Sequence, residues 1–159
     1  VRRYALEQIG VVAGHHVWDL YAGIGETTVE LAAAGASVES VELDPDAVRV
    51  AQVRGPQDRV RRHAGQVEDW IGRLEPAHAA VTNPPRTGMD ARVIEAIVAS
   101  RPSRIAYISC DPATLARDLS RLLPRVPASP PLRLAALRAF DLFPQTAHVE
   151  SVAILEAVG

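Results

Sequence analysis

Cys110 is the residue whose type and position most directly indicate chemistry. It is the only cysteine in the chain, and it lies between an apolar, strand-like run and an Asp-Pro pair that opens a helical pattern. A lone cysteine is most often a small buried hydrophobe. At a strand end beside a helix N-terminus, however, the helix dipole and unpaired N–H groups favour the thiolate, which is the nucleophilic form. We therefore predict that Cys110 is a nucleophile.

A glycine-containing turn after the first predicted strand indicates a nucleotide-type ligand. Gly23 and Gly25 allow backbone conformations and close approaches that a Cβ would block, and Asp19 precedes them on the strand. Glu42 ends the next strand roughly 20 residues later, where a carboxylate can accept hydrogen bonds from ribose hydroxyls. The third glycine of the dinucleotide fingerprint is missing, because Thr28 occupies its place. A pyrophosphate ligand is therefore less favoured.

The elements that must position these residues alternate along the chain. Strand followed by helix, repeated, indicates a parallel sheet with helices on both faces. A proline-rich stretch, 124–131, is predicted to be a loop, and the two extended runs after it predict an antiparallel hairpin. We expect one α/β domain over 1–159, with a seven-stranded, Rossmann-like, mostly parallel sheet. The predicted strands are 16–21, 38–43, 60–63, 79–82, 104–109, 132–140 and 149–157, and the predicted helices are 2–9, 27–34, 46–53, 67–74, 91–100 and 112–123.

Composition limits the class of protein. The 159 residues, 48% of them hydrophobic, suit a single core. The net charge of −2 lacks the basic excess of a protein that holds nucleic acid by bulk electrostatics. One cysteine excludes an internal disulfide, and there is no secretory signal and no apolar run of roughly 18 residues. We expect a cytoplasmic monomer with no metal and no membrane partner.

Together, Asp19, the two glycines and Glu42 resemble the S-adenosylmethionine site of class I methyltransferases, which has an acid on the first strand, paired glycines after it and an acid on the second strand. The resemblance implies that Glu42 binds the ribose hydroxyls and that Asp19 orders the glycine turn. Gln66 stands where family members usually carry an acid, and its amide can still hydrogen-bond the adenine edge. The cofactor-binding residues predicted on this basis are Asp19, Tyr21, Gly23, Gly25, Glu42, Gln66 and Asn83.

Three motifs lie at the ends of later strands, where an open α/β sheet places its ligands. The first is Asn-Pro-Pro-Arg-Thr-Gly from Asn83, the second is Ser-Cys-Asp-Pro-Ala-Thr-Leu-Ala-Arg-Asp around Cys110, and the third is Asp-Leu-Phe-Pro-Gln-Thr-Ala-His-Val-Glu from Asp141. With these motifs, in this order, the chain closely resembles the RNA uracil-5-methyltransferases from about Val17 to Leu155.

That resemblance implies a covalent mechanism on a flipped or unpaired uridine of tRNA or rRNA. Cys110 adds to carbon 6 of the base, and Glu150 later removes the proton from carbon 5 as general base. Asn83 replaces the usual aspartate and can still meet uracil N3–H through its carbonyl, without a charge. Arg86 is interpreted as a ligand of a base oxygen or phosphate, or as a salt-bridge partner. His148 orients the base, contacts phosphate or packs in its loop.

Two alternatives remain open. RNA cytosine-5-methyltransferases also use cysteine addition, although they usually lack the Phe-Pro-x-Thr-x-His-Val-Glu ending. A degenerate cofactor-binding module without catalysis is the other, because Asn83 and Gln66 depart from the family pattern. Family members carry further sequence before this region, often an OB-like RNA-binding domain and a Phe-Gln-containing segment. We therefore expect the catalytic half of such an enzyme, cut at its start, which binds S-adenosylmethionine but methylates RNA weakly or not at all.

Overall fold

The computed structural model describes residues 1–123, 132–142 and 149–158, and these form a sheet of seven strands in the order β3-β2-β1-β4-β5-β7-β6. The pairs among β1 to β5 are parallel, whereas β7 is antiparallel to both β5 and β6. The strands are β1 His16–Leu20, β2 Ser37–Glu42, β3 Val60–Ala64, β4 Ala79–Thr82, β5 Arg104–Ser109, β6 Leu132–Phe140 and β7 Glu150–Ala157. The predicted α/β fold with an antiparallel C-terminal hairpin is confirmed.

The helices connect the parallel strands and begin close to the strand ends. Aspartates cap three of them: Asp44 accepts a hydrogen bond from Asp46 N, Asp90 from Arg92 N, and Asp111 from Thr114 N. Such caps satisfy backbone donors that the first helical turn leaves free. The three aspartates thereby fix the loops that lead into α3, α5 and α6. The helices are α1 Arg2–Ile9, α2 Glu26–Ala33, α3 Pro45–Gln52, α4 Val67–Trp70, α5 Ala91–Ser100 and α6 Pro112–Leu122.

The core consists of two apolar clusters, one on each face of the sheet. Successive strand residues point to opposite faces, so Trp18 joins one cluster while its neighbour Val17 joins the other. The central strands β4, β5 and β7 contain continuous apolar runs, as expected for strands that are covered on both faces. This buried sheet is the rigid support for the loops at its edges.

Predicted boundaries were wrong by one residue in β2, β3, α2, α3, α6 and β7. Two further differences have clear local reasons. Strand β1 ends at Leu20 rather than at residue 21, because Tyr21 has a left-handed φ of 61° that a strand cannot continue. The helix predicted over 67–74 is α-helical only to Trp70, and Ile71–Arg73 form a 3₁₀ turn. Gly72, a poor helix former, lies in that turn. The predicted loop 124–131 lies outside the described residues.

The order of the strands marks one position for a ligand. From β1 the chain passes to β2 and β3 on one side and then returns to β4 on the other side. In open α/β sheets, ligands bind beside the carboxyl ends of the strands where the strand order reverses in this way. The residues that follow β1 and β4 should therefore border the functional site.

Candidate active site

Two clefts open at this edge of the sheet. The larger has a volume of about 780 Å³ and the smaller about 460 Å³. Tyr21 and Asn83, which follow β1 and β4, line both clefts. Glu42 and Gln66 line the larger cleft, whereas Gly23 and Glu150 line the smaller one, so six predicted site residues meet at one edge.

The glycine turn is held by the carboxylate that ends β2. Glu42 accepts hydrogen bonds from Gly23 N at 2.7 Å on one oxygen and from Asp44 N at 2.8 Å on the other. An ionised carboxylate has about four acceptor positions, so Glu42 keeps capacity for a ligand hydroxyl. Gly23 has a φ of 56°, and a Cβ there would meet no atom within 4 Å. The turn therefore leaves open space where a ligand can approach the backbone.

Asp19 and Gly25 lie behind the turn and support it. Asp19 is 2% exposed and accepts a hydrogen bond from Thr28 Oγ1 at 2.5 Å, which joins β1 to α2. Burial raises the pKa of Asp19 to about 7. Gly25 has a φ of 77°, and a Cβ there would lie 3.1 Å from the Ala51 Cβ. Neither residue is among the described residues that line the two clefts.

The larger cleft has the donors and acceptors that an adenosine needs. Gln66 stands at the N-terminal cap of α4, directly after the third strand, and Glu42 stands opposite at the end of β2. Tyr21 forms part of the wall between the clefts; burial raises its pKa, and the nearby charge of Glu68 adds to the effect. A cleft of this size suits a nucleoside-sized ligand. The residues present therefore fit S-adenosylmethionine.

Cys110 directly follows β5, and Glu150 is the first residue of β7, the antiparallel neighbour of β5. The register of β5 and β7 pairs Ser109 with Ser151, so Cys110 and Glu150 are the residues next to this last registered pair. Ile108, near the end of β5, lines the smaller cleft together with Glu150. Both Cys110 and Glu150 are half-buried. Cys110 itself is not among the described lining residues.

The turn after Cys110 is fixed by local hydrogen bonds. Ser109 Oγ accepts from Asp111 N at 3.1 Å and donates to Asp111 O at 2.9 Å. The pKa of Asp111 is lowered mainly by the hydrogen bond from Thr114 N, and the positive charge of Arg86 contributes. Arg86 is exposed, and it lies near enough to Asp111 for its charge to act on that carboxylate. The predicted residue His148 lies outside the described residues.

A buried carboxylate on α6, that of Asp118, has a structural role that the sequence pattern alone did not predict. Asp118 is 0% exposed, Arg117 lines the larger cleft, and both bind the loop that follows β4. The signal was present in the helical pattern, because Asp118 shares the buried face with Leu115 and Leu122. A carboxylate on an apolar helix face requires buried partners.

Two kinds of feature are absent from the part of the chain that the structure describes. Within 1–123, 132–142 and 149–158, no group of three or more histidine, cysteine or acidic side chains is arranged to hold a metal ion. Over the same ranges, no helix is both long enough and apolar enough to cross a membrane.

Known proteins similar to this chain are RNA methyltransferases. An uncharacterized RNA methyltransferase of Parasynechococcus marenigrum is 41% identical over 145 residues, covering 88% of this chain and 30% of the relative. One of Nitratidesulfovibrio vulgaris is 39% identical over 157 residues, covering 92% of this chain and 32% of the relative. The chain thus spans about a third of the length of the curated relatives it matches.

Solved structures agree with this similarity. The tRNA (uracil-54, C5)-methyltransferase of Pyrococcus abyssi, in complex with S-adenosyl-L-homocysteine, superposes with a TM-score of 0.74 and 28% identity, covering 96% of this chain and 37% of that one. TrmN of Thermus thermophilus shares the fold, with a TM-score of 0.76 and 18% identity over 99% of this chain and 48% of that one. The family model of tRNA (uracil-5-)-methyltransferases matches residues 75–158, more than half of the chain. The chain therefore belongs to the tRNA (uracil-5-)-methyltransferase family.

Proposed function

We propose that this chain is the catalytic part of an RNA methyltransferase that transfers a methyl group to carbon 5 of a uridine in tRNA or rRNA. The observation that carries the proposal is the register of β5 and β7, which ends at the pair Ser109 and Ser151, next to Cys110 and Glu150. Glu150 lines the smaller cleft, which shares Tyr21 and Asn83 with the larger cleft. A nucleophile, a carboxylate and a nucleoside-sized cleft at one sheet edge are what this reaction requires. The compartment that follows from an RNA substrate is the cytoplasm.

The reaction needs a covalent step because carbon 5 of uracil is a poor nucleophile. The Cys110 thiolate adds to carbon 6, and the electrons of the 5,6 double bond move into the ring as an enolate. Carbon 5 then attacks the methyl donor, forming a carbon–carbon bond while the donor's sulfur–carbon bond breaks. Removal of the proton from carbon 5 restores the double bond and expels the Cys110 thiolate. The base thereby exchanges the hydrogen of carbon 5 for the methyl group, the hydrogen leaves as a proton, and the Cys110 thiolate is regenerated.

Glu150 is proposed to remove that proton. Glu150 lines the smaller cleft together with Gly23 and Asn83. A uracil ring held in this cleft would therefore lie close to both the glycine turn and the Glu150 carboxylate. A half-buried carboxylate can act as a general base when it lies within hydrogen-bond reach of the proton. The smaller cleft is therefore the proposed position of the target base.

Three further residues are proposed to bind the RNA. The Asn83 side chain borders both clefts, where its amide oxygen can accept a hydrogen bond from uracil N3–H. Arg86 lies near the start of α6, beside the nucleophile, in a suitable position for a base oxygen or a phosphate. His148 remains a proposed contact from its motif alone. The base must leave its stack to reach Cys110, because the thiolate approaches one face of the ring.

The cofactor is S-adenosylmethionine, which when bound supplies an electrophilic methyl group. On the protein side, Glu42 is proposed to accept from the ribose hydroxyls and Gln66 to hydrogen-bond the adenine edge. The backbone at Gly23 is proposed to contact the amino acid part, because a ligand can approach it closely there. Tyr21 and Asn83, which line both clefts, are proposed to mark the place where the cofactor and the base meet.

The test is covalent trapping with a fluorinated substrate. The complete gene product that carries this chain is incubated with S-adenosylmethionine and RNA containing 5-fluorouridine, because fluorine at carbon 5 cannot be removed as a proton. The expected result is a protein–RNA adduct that resists denaturation and is absent in Cys110→Ala. Peptide mass spectrometry then assigns the linkage to Cys110.

The same experiment separates the alternative functions. An adduct formed with 5-fluorocytidine RNA, and not with 5-fluorouridine RNA, would identify a cytosine-5-methyltransferase instead. If the unmodified protein forms no adduct with either RNA while it still binds S-adenosylmethionine, the chain is a cofactor-binding module and the proposal fails.

A further inference from the structure

The buried carboxylate of Asp118, on α6, accepts hydrogen bonds from four donors of the protein itself. Asp118 Oδ2 accepts from Met89 N and from Tyr107 Oη, both at 2.8 Å. Asp118 Oδ1 accepts from Arg117 Nε at 2.9 Å and from Arg117 Nη2 at 2.8 Å. Four donors fill the roughly four acceptor positions of a carboxylate. The donors come from the loop after β4, from β5 and from α6, so one carboxylate joins three segments.

Arg117 extends this connection to the same loop. Its Nη2 also donates to the carbonyl of Thr87 at 2.8 Å. Gly88, the next residue, has a φ of 77°, and a Cβ there would overlap Arg117 Nη2 and lie 2.5 Å from Asp118 Oδ2. Only glycine therefore allows the loop to pass this close to the charged pair.

The loop held in this way is part of the proposed site. It begins at Asn83 and runs to Asp90, the cap of α5, and five of its side chains or backbone positions after Asn83 line the larger cleft. Its Arg86 lies near Asp111, at the start of α6. Helix α6 begins two residues after Cys110. Further along the same helix, Arg117 and Asp118 bind the loop that forms a wall of the cofactor cleft.

A purely stabilising role explains this arrangement poorly. A buried ion pair is weak evidence for stability, because the cost of removing both charges from water offsets much of their attraction. An apolar residue at position 118 would fit the surrounding face of Leu115 and Leu122. What the carboxylate provides and a leucine lacks is a fixed direction for the Met89 N–H and the Tyr107 hydroxyl.

We propose that Asp118 and Arg117 are positioning residues that set the loop 83–90 relative to Cys110 and thereby shape the cofactor cleft. The inference rests on the proposed function for the identity of the ligand. It adds a link between the helix of the nucleophile and the wall of the cofactor cleft, which the motifs alone do not assign. Neither residue is proposed to touch the reacting atoms.

The test measures binding of S-adenosylhomocysteine by calorimetry, without RNA or turnover. Arg117→Ala removes the bond to Thr87 and the two bonds to Asp118. Because this leaves a buried carboxylate without its cation, a thermal melt followed by circular dichroism first establishes that the variant is folded at the temperature of the assay. The expected result is at least a tenfold rise in the Kd. Arg133→Ala is the control for the loss of one positive charge, because Arg133 pairs with Glu156 on the outer strand β6 and is not among the described lining residues of either cleft; its Kd should stay within twofold. Equal losses in both variants would overturn the proposal in favour of a general charge effect.

A second pair of variants tests the loop from its own side. Gly88→Ala and Gly14→Ala both place a Cβ on a left-handed backbone, at φ values of 77° and 86°, but Gly14 has no atom within 4 Å of that Cβ. Gly88→Ala should therefore lose binding at least tenfold while Gly14→Ala binds like the original chain. Binding within twofold for both Arg117→Ala and Gly88→Ala would overturn the proposal.

Two readouts separate positioning from mere structural damage. The rate at which iodoacetamide alkylates Cys110 should be unchanged in Arg117→Ala, because the start of α6 has its own cap. In the complete gene product, the KM for S-adenosylmethionine should rise while kcat at saturating cofactor stays within threefold. A fall in kcat with an unchanged KM would contradict the proposal. Because the binding assay needs no RNA, it can fail or succeed independently of adduct formation by Cys110.

Discussion

The cofactor side of the site and its chemical side are built differently. On the cofactor side, Glu42 and Asp19 are already hydrogen-bonded within the chain, to Gly23 N, Asp44 N and the Thr28 hydroxyl. On the chemical side, Cys110 and Glu150 are half-buried, and among the described residues neither side chain takes part in the hydrogen bonds that hold the turns. One side is pre-formed by its own contacts, and the other presents side chains to a substrate.

This difference indicates how the two ligands are recognised. A site whose acceptors are fixed in advance loses little conformational entropy when a small ligand enters. In the proposed reaction the reacting side chains need free approach, because the thiolate and the general base would contact the substrate itself. We therefore expect changes on the chemical side to alter rates, and changes on the cofactor side to alter affinity.

The largest expected effect is that of Glu150→Gln. The amide cannot remove the proton from carbon 5, so turnover should fall by about 10²- to 10⁴-fold, the usual contribution of a general base. Because the earlier addition step remains possible, a methylated adduct with ordinary uridine RNA should accumulate. Denaturing gels and mass spectrometry of the complete gene product would detect it.

The control for this variant is Glu156→Gln on the same strand. Glu156 forms ion pairs with Arg104 and Arg133, away from the clefts, so its amide should leave turnover within threefold. Normal turnover by Glu150→Gln would assign the base to another residue and would break the comparison between the two sides.

An intermediate effect is expected for Glu42→Gln. The amide keeps one acceptor oxygen but presents an NH₂ group to one of the two backbone N–H groups that Glu42 holds. Loss of a charged hydrogen bond corresponds to about 1.5–3 kcal/mol, so the Kd for S-adenosylhomocysteine should rise about 10- to 100-fold. Calorimetry measures it.

The matched variant Glu68→Gln removes the same charge from the same cleft without a contact to the glycine turn. Its Kd should change by less than threefold. A similar loss in both variants would mean that the cleft acts through its total charge, and the pre-formed turn would then have no special role.

The smallest effect is expected for Asp19→Asn, and it concerns the pH dependence of the unfolding free energy. Burial raises the pKa of Asp19 to about 7, above its usual value of about 3.9 in unfolded chains. The folded state therefore binds the proton more tightly, and this contribution to stability is full below about pH 4 and is lost as the pH rises through 7. The asparagine of the variant does not titrate, so the unfolding free energy of the variant should fall less between about pH 5 and pH 8. Chemical denaturation at several pH values would measure this, and parallel curves for both proteins would refute the assignment.

Most of the sheet could be predicted because its local signals agree. The bounds of β4 Ala79–Thr82 and β5 Arg104–Ser109 match the predicted runs, since each is a continuous apolar segment between polar turns. Asp111-Pro112 marked the start of α6 through its cap and its first-turn proline. These features depend on residues that are close in sequence.

The parts that could not be predicted depend on residues that are far apart in sequence. The neighbouring positions of Cys110 and Glu150 depend on the pairing of β7 with β5, which no local pattern specifies. The partners of Asp118 come from three segments, so the helical pattern could indicate a buried carboxylate but not its donors. The bond from Gly23 N to Glu42 likewise gave the predicted ribose acceptor a second role in holding the turn.

The antiparallel placement of β7 has a consequence for how this family can diversify. The register of β7 on β5 extends from Arg104 opposite Glu156 to Ser109 opposite Ser151, so strand pairing fixes the height of Glu150 at the sheet edge. The length of the connection from β6 does not set that height. A lineage could therefore vary the residues before β7 while the strand pairing keeps Glu150 at the same position.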